Sequence, residues 1–155
     1  MKRTWSLISA AVLLASPAWA QDSDVDAIRM LLTSYAEMAQ AKNLSGIEAL
    51  FAQDRWVHII EGAGVNHGWA DYRDHHLGPE LEAAANFRMR YFAIEPQVRG
   101  DLAWAAFRYE VGAELRGNKI DNEGRGTAVL ERRDGRWLIV HLHTSGRRKP
   151  AAGGT

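Results

Sequence analysis

The chain has 155 residues, with 19 Lys or Arg balanced by 19 Asp or Glu and no cysteine. That balance excludes the basic surface nucleic-acid binders carry, and the missing cysteines exclude both disulfide stapling and thiolate metal sites. Packing must hold the fold together.

Residues 1–20 have the layout of a secretory signal: Lys2 and Arg3, an apolar run from Leu7 to Ala15, and the small-x-small step Ala18-Trp19-Ala20. A membrane-spanning helix needs about 20 apolar residues, so this run reads as a cleavable leader rather than an anchor. The expectation is a secreted or periplasmic protein with no membrane association after cleavage. Removing 20 of the 155 residues leaves 135, one ordinary domain, with 17 basic residues against 19 acidic. The domain is expected over 21–146. Residues 147–155, with Arg147-Arg148-Lys149 in a Pro/Ala/Gly context, read as a disordered tail.

Ser23 and Asp26 have capping-box spacing, and Val25, Ile28, Leu31, Leu32, Tyr35, Met38 and Ala39 recur at helical spacing, predicting a first amphipathic helix. Asn43 or Ser45 caps a short second helix with Leu44, Ile47, Leu50 and Phe51 on its apolar face. Arg55 to Glu61 reads as a strand closing at Gly62-Ala63-Gly64. A third helix spans Trp69 to Ala85, kinked or split at Gly78-Pro79. Four long strands follow, Phe87 to Val98, Leu102 to Leu115, Ile120 to Arg132 and Trp137 to Ser145, with turns at Arg99-Gly100-Asp101, Arg116-Gly117-Asn118 and Asp134-Gly135. Helices first and a meander last predict an α+β domain, a curved antiparallel sheet covered on one face by the N-terminal helices.

The last strand carries the clearest chemical signal. Strict alternation along Leu138-Ile139-Val140-His141-Leu142-His143 puts the two imidazoles on one face and Leu138, Val140 and Leu142 on the other. A pocket built on this pattern would use Tyr35, Trp56, Tyr72 and Trp104 as walls and His58, His76, His141 and His143 as polar points. The proposed ligand-binding set is Tyr35, His58, Tyr72, His76, Arg108, His141 and His143, with Arg108 as anion anchor.

Three functions fit this pattern. The first is binding of a small molecule, as yet unspecified, in the cavity. The second is acid–base catalysis of an isomerase, cyclase or dehydratase kind, with His58 and a tyrosine donor, or one of the strand acids Glu61, Glu110, Glu114 and Glu131. Those acids more readily belong to solvated faces or surface pairs. The third is a histidine metal site joining His141 and His143 to His58, His75 or His76, since i, i+2 imidazoles on one strand face can reach one ion. No cofactor and no metal ligand is assigned.

Two motifs carry a resemblance. The stretch Gly126 to Trp137, with its Arg-Arg-Asp-Gly-Arg-Trp turn, and Val140-His141-Leu142-His143-Thr144-Ser145-Gly146 are similar to the end of the association domain of calcium/calmodulin-dependent kinase II. The element order over roughly Asp24 to Gly146 resembles the nuclear transport factor 2 superfamily, which includes ketosteroid isomerases and SnoaL-like polyketide cyclases. The resemblance implies a cone-shaped, cystatin-like fold with an internal pocket and a homodimer formed through the outer sheet face. It also implies arginines lining the pocket. At the matching positions this chain has Ala128 and Thr144 instead, leaving Arg73, Arg90 or Arg108 to supply a positive charge.

Overall fold

The computed structural model describes residues 18–54 and 56–150. Helix α1 (Ala18–Gln40) and the short α2 (Leu44–Glu48) lead into a small hairpin, β1 (His58–Glu61) and β2 (Gly64–His67). A segmented helix follows: α3 (Trp69–Tyr72), a π-helical turn (Arg73–Leu77) and α4 (Gly78–Ala83). Then come β3 (Ala84–Arg99), β4 (Leu102–Leu115), β5 (Asn118–Arg133) and β6 (Arg136–Arg148). The six strands form one open, curved sheet in the order β2-β1-β6-β5-β4-β3, antiparallel except where β1 runs parallel to β6. The α+β class and the curved sheet match the sequence expectation, and no helix among the described residues is long and apolar enough to cross a membrane.

The core lies between α1 and the inner face of the sheet. Ile28, Leu32, Tyr35, Ala36 and Ala39 form the buried stripe of α1 and meet Ala103, Ala105, Phe107, Ala128, Leu130, Ile139 and Leu142 of the strands. α1 runs straight through Ser23, so the capping-box reading fails. Asn43 does cap α2, its Oδ1 accepting from the Gly46 N–H at 2.9 Å.

The two turn motifs earn their place mechanically. Asp134 and Gly135 both have positive φ, 50° and 75°, the type I′ geometry that matches strand twist. That turn brings Arg132 and Trp137 together, the guanidinium 4.6 Å above the indole. Both donate to Asp24 on α1, Arg132 Nη2 at 2.6 Å and Trp137 Nε1 at 3.2 Å, pinning the helix to the sheet edge. The basic residues expected in a loose tail are bound as well: Arg147 and Arg148 pair with Glu123 and Asn122 in β5, and Lys149 bridges Glu110 and Asp121. The tail assignment therefore begins too early.

Two glycines of β5 make room for aromatic rings of β4. On Gly126 a Cβ would lie 2.2 Å from Phe107 Cζ, and on Gly124 2.5 Å from Tyr109 Cε1, so β5 must stay bare for the β4 aromatics to lie across it. Gly78 closes the π-helical turn, its N–H bonding to the Arg73 carbonyl, where a Cβ would stand 2.4 Å from that oxygen. Pro79, which has no N–H to continue an ordinary ladder, begins the next segment. The predicted kink takes this form.

Candidate active site

β1 ends with Glu61 on the inner face. Strand alternation sets Ile59 and Glu61 inward, and the parallel register with β6 puts Glu61 beside Thr144 and Ile59 beside Leu142. Tyr72, His76 and Glu80 recur every fourth residue along the segmented helix and present one face to Glu61. Tyr72 donates to Glu61 Oε1 at 2.6 Å, and His76 Nε2 stands 3.2 Å from Glu61 Oε2. The ligand atoms of Glu61, His76 and Glu80 all lie within 4.8 Å of one another.

The protonation of His76 follows from its neighbours. Asn66, on the inner face of β2, donates its Nδ2 to Asp71 at 3.3 Å, which leaves Oδ1 turned to His76 Nδ1 at 3.0 Å. A carbonyl oxygen only accepts, so Nδ1 carries a proton. With Nε2 facing a carboxylate, the ring favours the doubly protonated form. The hydrogen bond to Glu61 raises the His76 pKa above the ordinary histidine value, against the opposing effect of burial. Burial alone would push Glu61 up, yet the hydrogen bonds from His76 and Tyr72 and the charge of His76 together hold it below the ordinary carboxylate value. Glu80 goes the other way: burial, then the negative charge of Glu61, raises it.

Behind Tyr72 lies a row of phenols. The Tyr72 hydroxyl has one proton and gives it to Glu61, so at the 3.0 Å contact between Tyr35 and Tyr72 it is Tyr35 that donates. Tyr91 stacks on Tyr35 with ring centroids 5.3 Å apart. Burial raises all three pKa values, so these phenols stay neutral and act only as donors and acceptors.

Glu61 and Tyr72 open onto a cavity of about 110 Å³. Leu77, Phe87, Met89, Val111 and Ile120 make it apolar, while Glu80, Tyr91, Tyr109, Asn122 and Thr144 supply polar points. Among the described residues no lysine or arginine lines it.

The predicted set divides between the two faces of the sheet. Tyr72 lines the cavity, His76 reaches Glu61 from outside that lining, and Tyr35 is fully buried behind Tyr72. His58, His141, His143 and Arg108 stand on the outer face, Arg108 5.1 Å over the Phe92 ring. A bulge explains the histidines. Val129 faces His141 and Leu130 faces Ile139, so Val140 is the extra residue, and the inward positions become Trp137, Ile139, Leu142 and Thr144. Leu138 consequently shares the outer face with the histidines, against strict alternation. Trp56 and Trp104, offered as walls, are 69% and 40% exposed. Arg73 pairs with Asp74 and Glu48, and Arg90 with Glu110, so neither charges the cavity. Ala128 is buried in the core and Thr144 lines the cavity, so both expected arginine positions face inward here without their charge.

Glu61 is the residue that sequence reasoning undervalued, and Glu80 the one it missed. The spacing Tyr72-x-x-x-His76-x-x-x-Glu80 was the available signal.

An open α+β cone holding a Glu–His–Tyr constellation on its inner wall defines the class. The chain belongs to the SnoaL-like domain family, whose profile matches residues 28–148, and it has the fold of nuclear transport factor 2-like proteins. Among solved structures it is similar to a nuclear transport factor 2-like superfamily protein from Salmonella enterica serovar Typhimurium, at 21% identity over 87% of this chain and 99% of the other, TM-score 0.76. It is also similar to a protein described as a candidate ketosteroid isomerase from Shewanella frigidimarina (26% identity, 78% and 97% covered, TM-score 0.67). A third is the hexachlorocyclohexane dehydrochlorinase LinA-type3 from Novosphingobium barchaimii (16% identity, 88% and 96% covered, TM-score 0.74). No curated protein matches the chain.

Proposed function

We propose that the cavity binds a small organic molecule and moves a proton on it, as an isomerase or a lyase. The observation that carries this is Glu61: a carboxylate facing an apolar cavity, held ionised by Tyr72 and His76, with the Glu80 carboxyl beside it biased toward its protonated form. Two neighbouring carboxyls driven apart in this way divide into base and acid.

Glu61 takes a proton from a carbon next to an electron-withdrawing group. The C–H electron pair moves toward that group, where Tyr109 and Asn122 offer donors to a developing oxyanion. Glu80 then protonates either a second carbon, giving isomerisation, or a departing β-substituent, giving elimination. His76 does not line the cavity, so its role is to hold and polarise Glu61. The size of the cavity, against about 300–1,000 Å³ for sites that take drug-sized ligands, favours a small substrate. The activities named for two structural neighbours, isomerisation and dehydrochlorination, both begin with such a proton transfer and support the reading.

The test is proton exchange. Small enolisable ketones and β-substituted carbonyl compounds, incubated with the protein in D₂O, should show catalysed C–H exchange or elimination by NMR, lost in Glu61→Gln. Absence of exchange across the panel, or exchange that survives Glu61→Gln, removes the proposal. Export through cleavage after Ala20 is the accompanying reading, supported by the pattern of residues 1–20 and tested by the N-terminal sequence of the protein recovered from the periplasm or medium. A homodimer is the expected assembly, tested by sedimentation.

A further inference from the structure

Glu61 is held by His76, and His76 is held in turn through two residues that do not line the cavity, Asn66 on β2 and Asp71 in α3. The Asn66 amide bridges the other two. We propose that Asp71 is a positioning residue of this site: by fixing which end of the Asn66 amide faces His76, it decides which ring nitrogen keeps its proton and so holds the ring as imidazolium. Its effect on rate rests on the proton transfer proposed above; its effect on the ring does not.

An amide has two unlike ends, an oxygen that only accepts and a nitrogen that only donates. An ionised carboxylate also accepts only, so Asp71 Oδ2 takes the amide nitrogen at 3.3 Å, and the oxygen is left for His76 Nδ1 at 3.0 Å. Turning the amide over would set oxygen against carboxylate. Asp71 therefore locks it.

The two orientations ask for different rings. With the oxygen toward it, Nδ1 carries a proton, and a ring with that proton alone would aim the Nε2 lone pair at Glu61 Oε2, 3.2 Å away. Protonating Nε2 as well removes that repulsion and gives imidazolium. With the amide turned over, Nδ1 would accept, and a single proton on Nε2 would satisfy Glu61 and Asn66 together. The neutral ring would then suffice. Asp71 removes that alternative without touching the imidazole.

Asp71 is itself fixed. The His67 N–H donates to Oδ2 at 2.9 Å and His75 Nδ1 reaches Oδ1 at 2.9 Å. These bonds, the His67 amide first, hold its carboxyl below the ordinary aspartate value, in the accepting form. The groups around His76 are Glu61 from β1, Asn66 from β2 and, from its own helical segments, Glu80 and the Tyr72 ring at 5.3 Å. Both acids favour a charged ring, and of these groups only Asn66 meets Nδ1.

Ring nitrogens report this directly. The full chain, labelled with nitrogen-15 in histidine, is titrated from about pH 5 to 10 and followed by two-bond proton–nitrogen NMR, the His76 signals being those missing from His76→Gln. The wild-type ring should carry both protons at neutral pH and, at the alkaline end, lose the one on Nε2. In Asp71→Ala the amide is free to turn, so the ring should deprotonate at lower pH and lose the proton on Nδ1 instead. Asn66→Ala, which removes the amide, should do the same. Asn66→Asp in the Asp71→Ala background supplies an acceptor that needs no lock and should return the proton to Nδ1. A change of nearby charge alone would move the midpoint without exchanging the nitrogens. One tautomer throughout the series overturns the proposal, as does a wild-type ring that is neutral at neutral pH. If circular dichroism shows that Asp71→Ala does not fold, Asn66→Ala against wild type decides. Carbon-bound hydrogen exchange is measured separately, so its failure removes the base without removing the lock, and an unchanged tautomer removes the lock without removing the base.

Discussion

The two faces of the sheet carry histidines in opposite conditions. On the inner face His76 is wired to Asn66 and Glu61 and driven toward its charged form; on the outer face His141 is crowded by burial and by other imidazoles and driven toward its neutral form. The same side chain thus becomes half of an ion pair in one place and a free nitrogen donor in the other. What decides is the surroundings: on the inner face the carboxylate partner outweighs burial, and on the outer face burial comes first and the other imidazoles add to it. A neighbouring carboxylate stabilises imidazolium, whereas a neighbouring imidazole repels it.

The largest expected effect separates the faces by activity. Glu61→Gln should lower proton transfer on a substrate found by the exchange screen by about 10²–10⁴-fold, the range for loss of a positioned base. His141→Ala should leave that rate within about twofold. A comparable loss on His141→Ala, read from kcat/KM, would put the chemistry on the outer face.

Stability gives the second contrast, between adjacent residues. Leu142 is fully buried on the inner face, and Leu142→Ala should cost about 2–5 kcal/mol in denaturant unfolding. His143, exposed on the outer face, should cost no more than about 0.5 kcal/mol on replacement by alanine. Equal costs would mean that the bulge at Val140 is misplaced and the parity of β6 with it.

The third prediction is a pH dependence of opposite sign on the two faces. The folded pKa of His76 is raised, so its stabilising contribution is full below the unfolded value of 6.5 and is lost as pH rises through the higher folded value. Glu61, lowered, contributes fully above its unfolded value of 4.5 and loses this as pH falls through the folded one. The stability difference between wild type and His76→Gln should therefore be largest between pH 4.5 and 6.5, on the order of 1 kcal/mol because the pair is partly solvated. His141, lowered, should instead contribute fully above 6.5 and fade as pH falls. A His141→Gln difference that fades toward high pH, or a His76→Gln difference that peaks there, would reverse the comparison.

Much of the fold was legible because long amphipathic periods report which residues share a face. The stripe of α1, the four long strands and their turns were all readable, and the Arg-Arg-Asp-Gly-Arg-Trp turn was visible as a motif before its role in gripping Asp24 was. The site was less legible for a physical reason. Alternation says that His141 and His143 go together, but one bulged residue decides which neighbours they join, and nothing in the residue types of β6 announces it. Glu61 looked like a surface acid because its partners, Tyr72 and His76, lie on another element, 11 and 15 residues along the chain. Glu110 and Glu131, read in the same way, do lie in surface pairs, with Arg90 and Lys149 and with Arg133. Tyr35 was placed as a cavity wall and turns out to stand one layer behind it.

That layer supports the smallest and most discriminating prediction. In Tyr35→Phe the ring is retained, with its stacking on Tyr91 and its edge contact with Phe51 at 6.1 Å, and only the hydroxyl is lost. Tyr72 still donates to Glu61, but its oxygen loses the donor that polarised it. The stability cost should be about 0.5–1 kcal/mol, one neutral hydrogen bond. The functional consequence runs through the row: a less polarised Tyr72 is a weaker donor, so Glu61 should titrate closer to the ordinary carboxylate value, and the acid limb of the rate profile should move to higher pH. An outer-face change such as His143→Ala should leave that limb where it is. If Tyr35→Phe loses stability without moving the limb, the phenol row is only packing, and Glu61 is set by His76 and the Tyr72 bond alone.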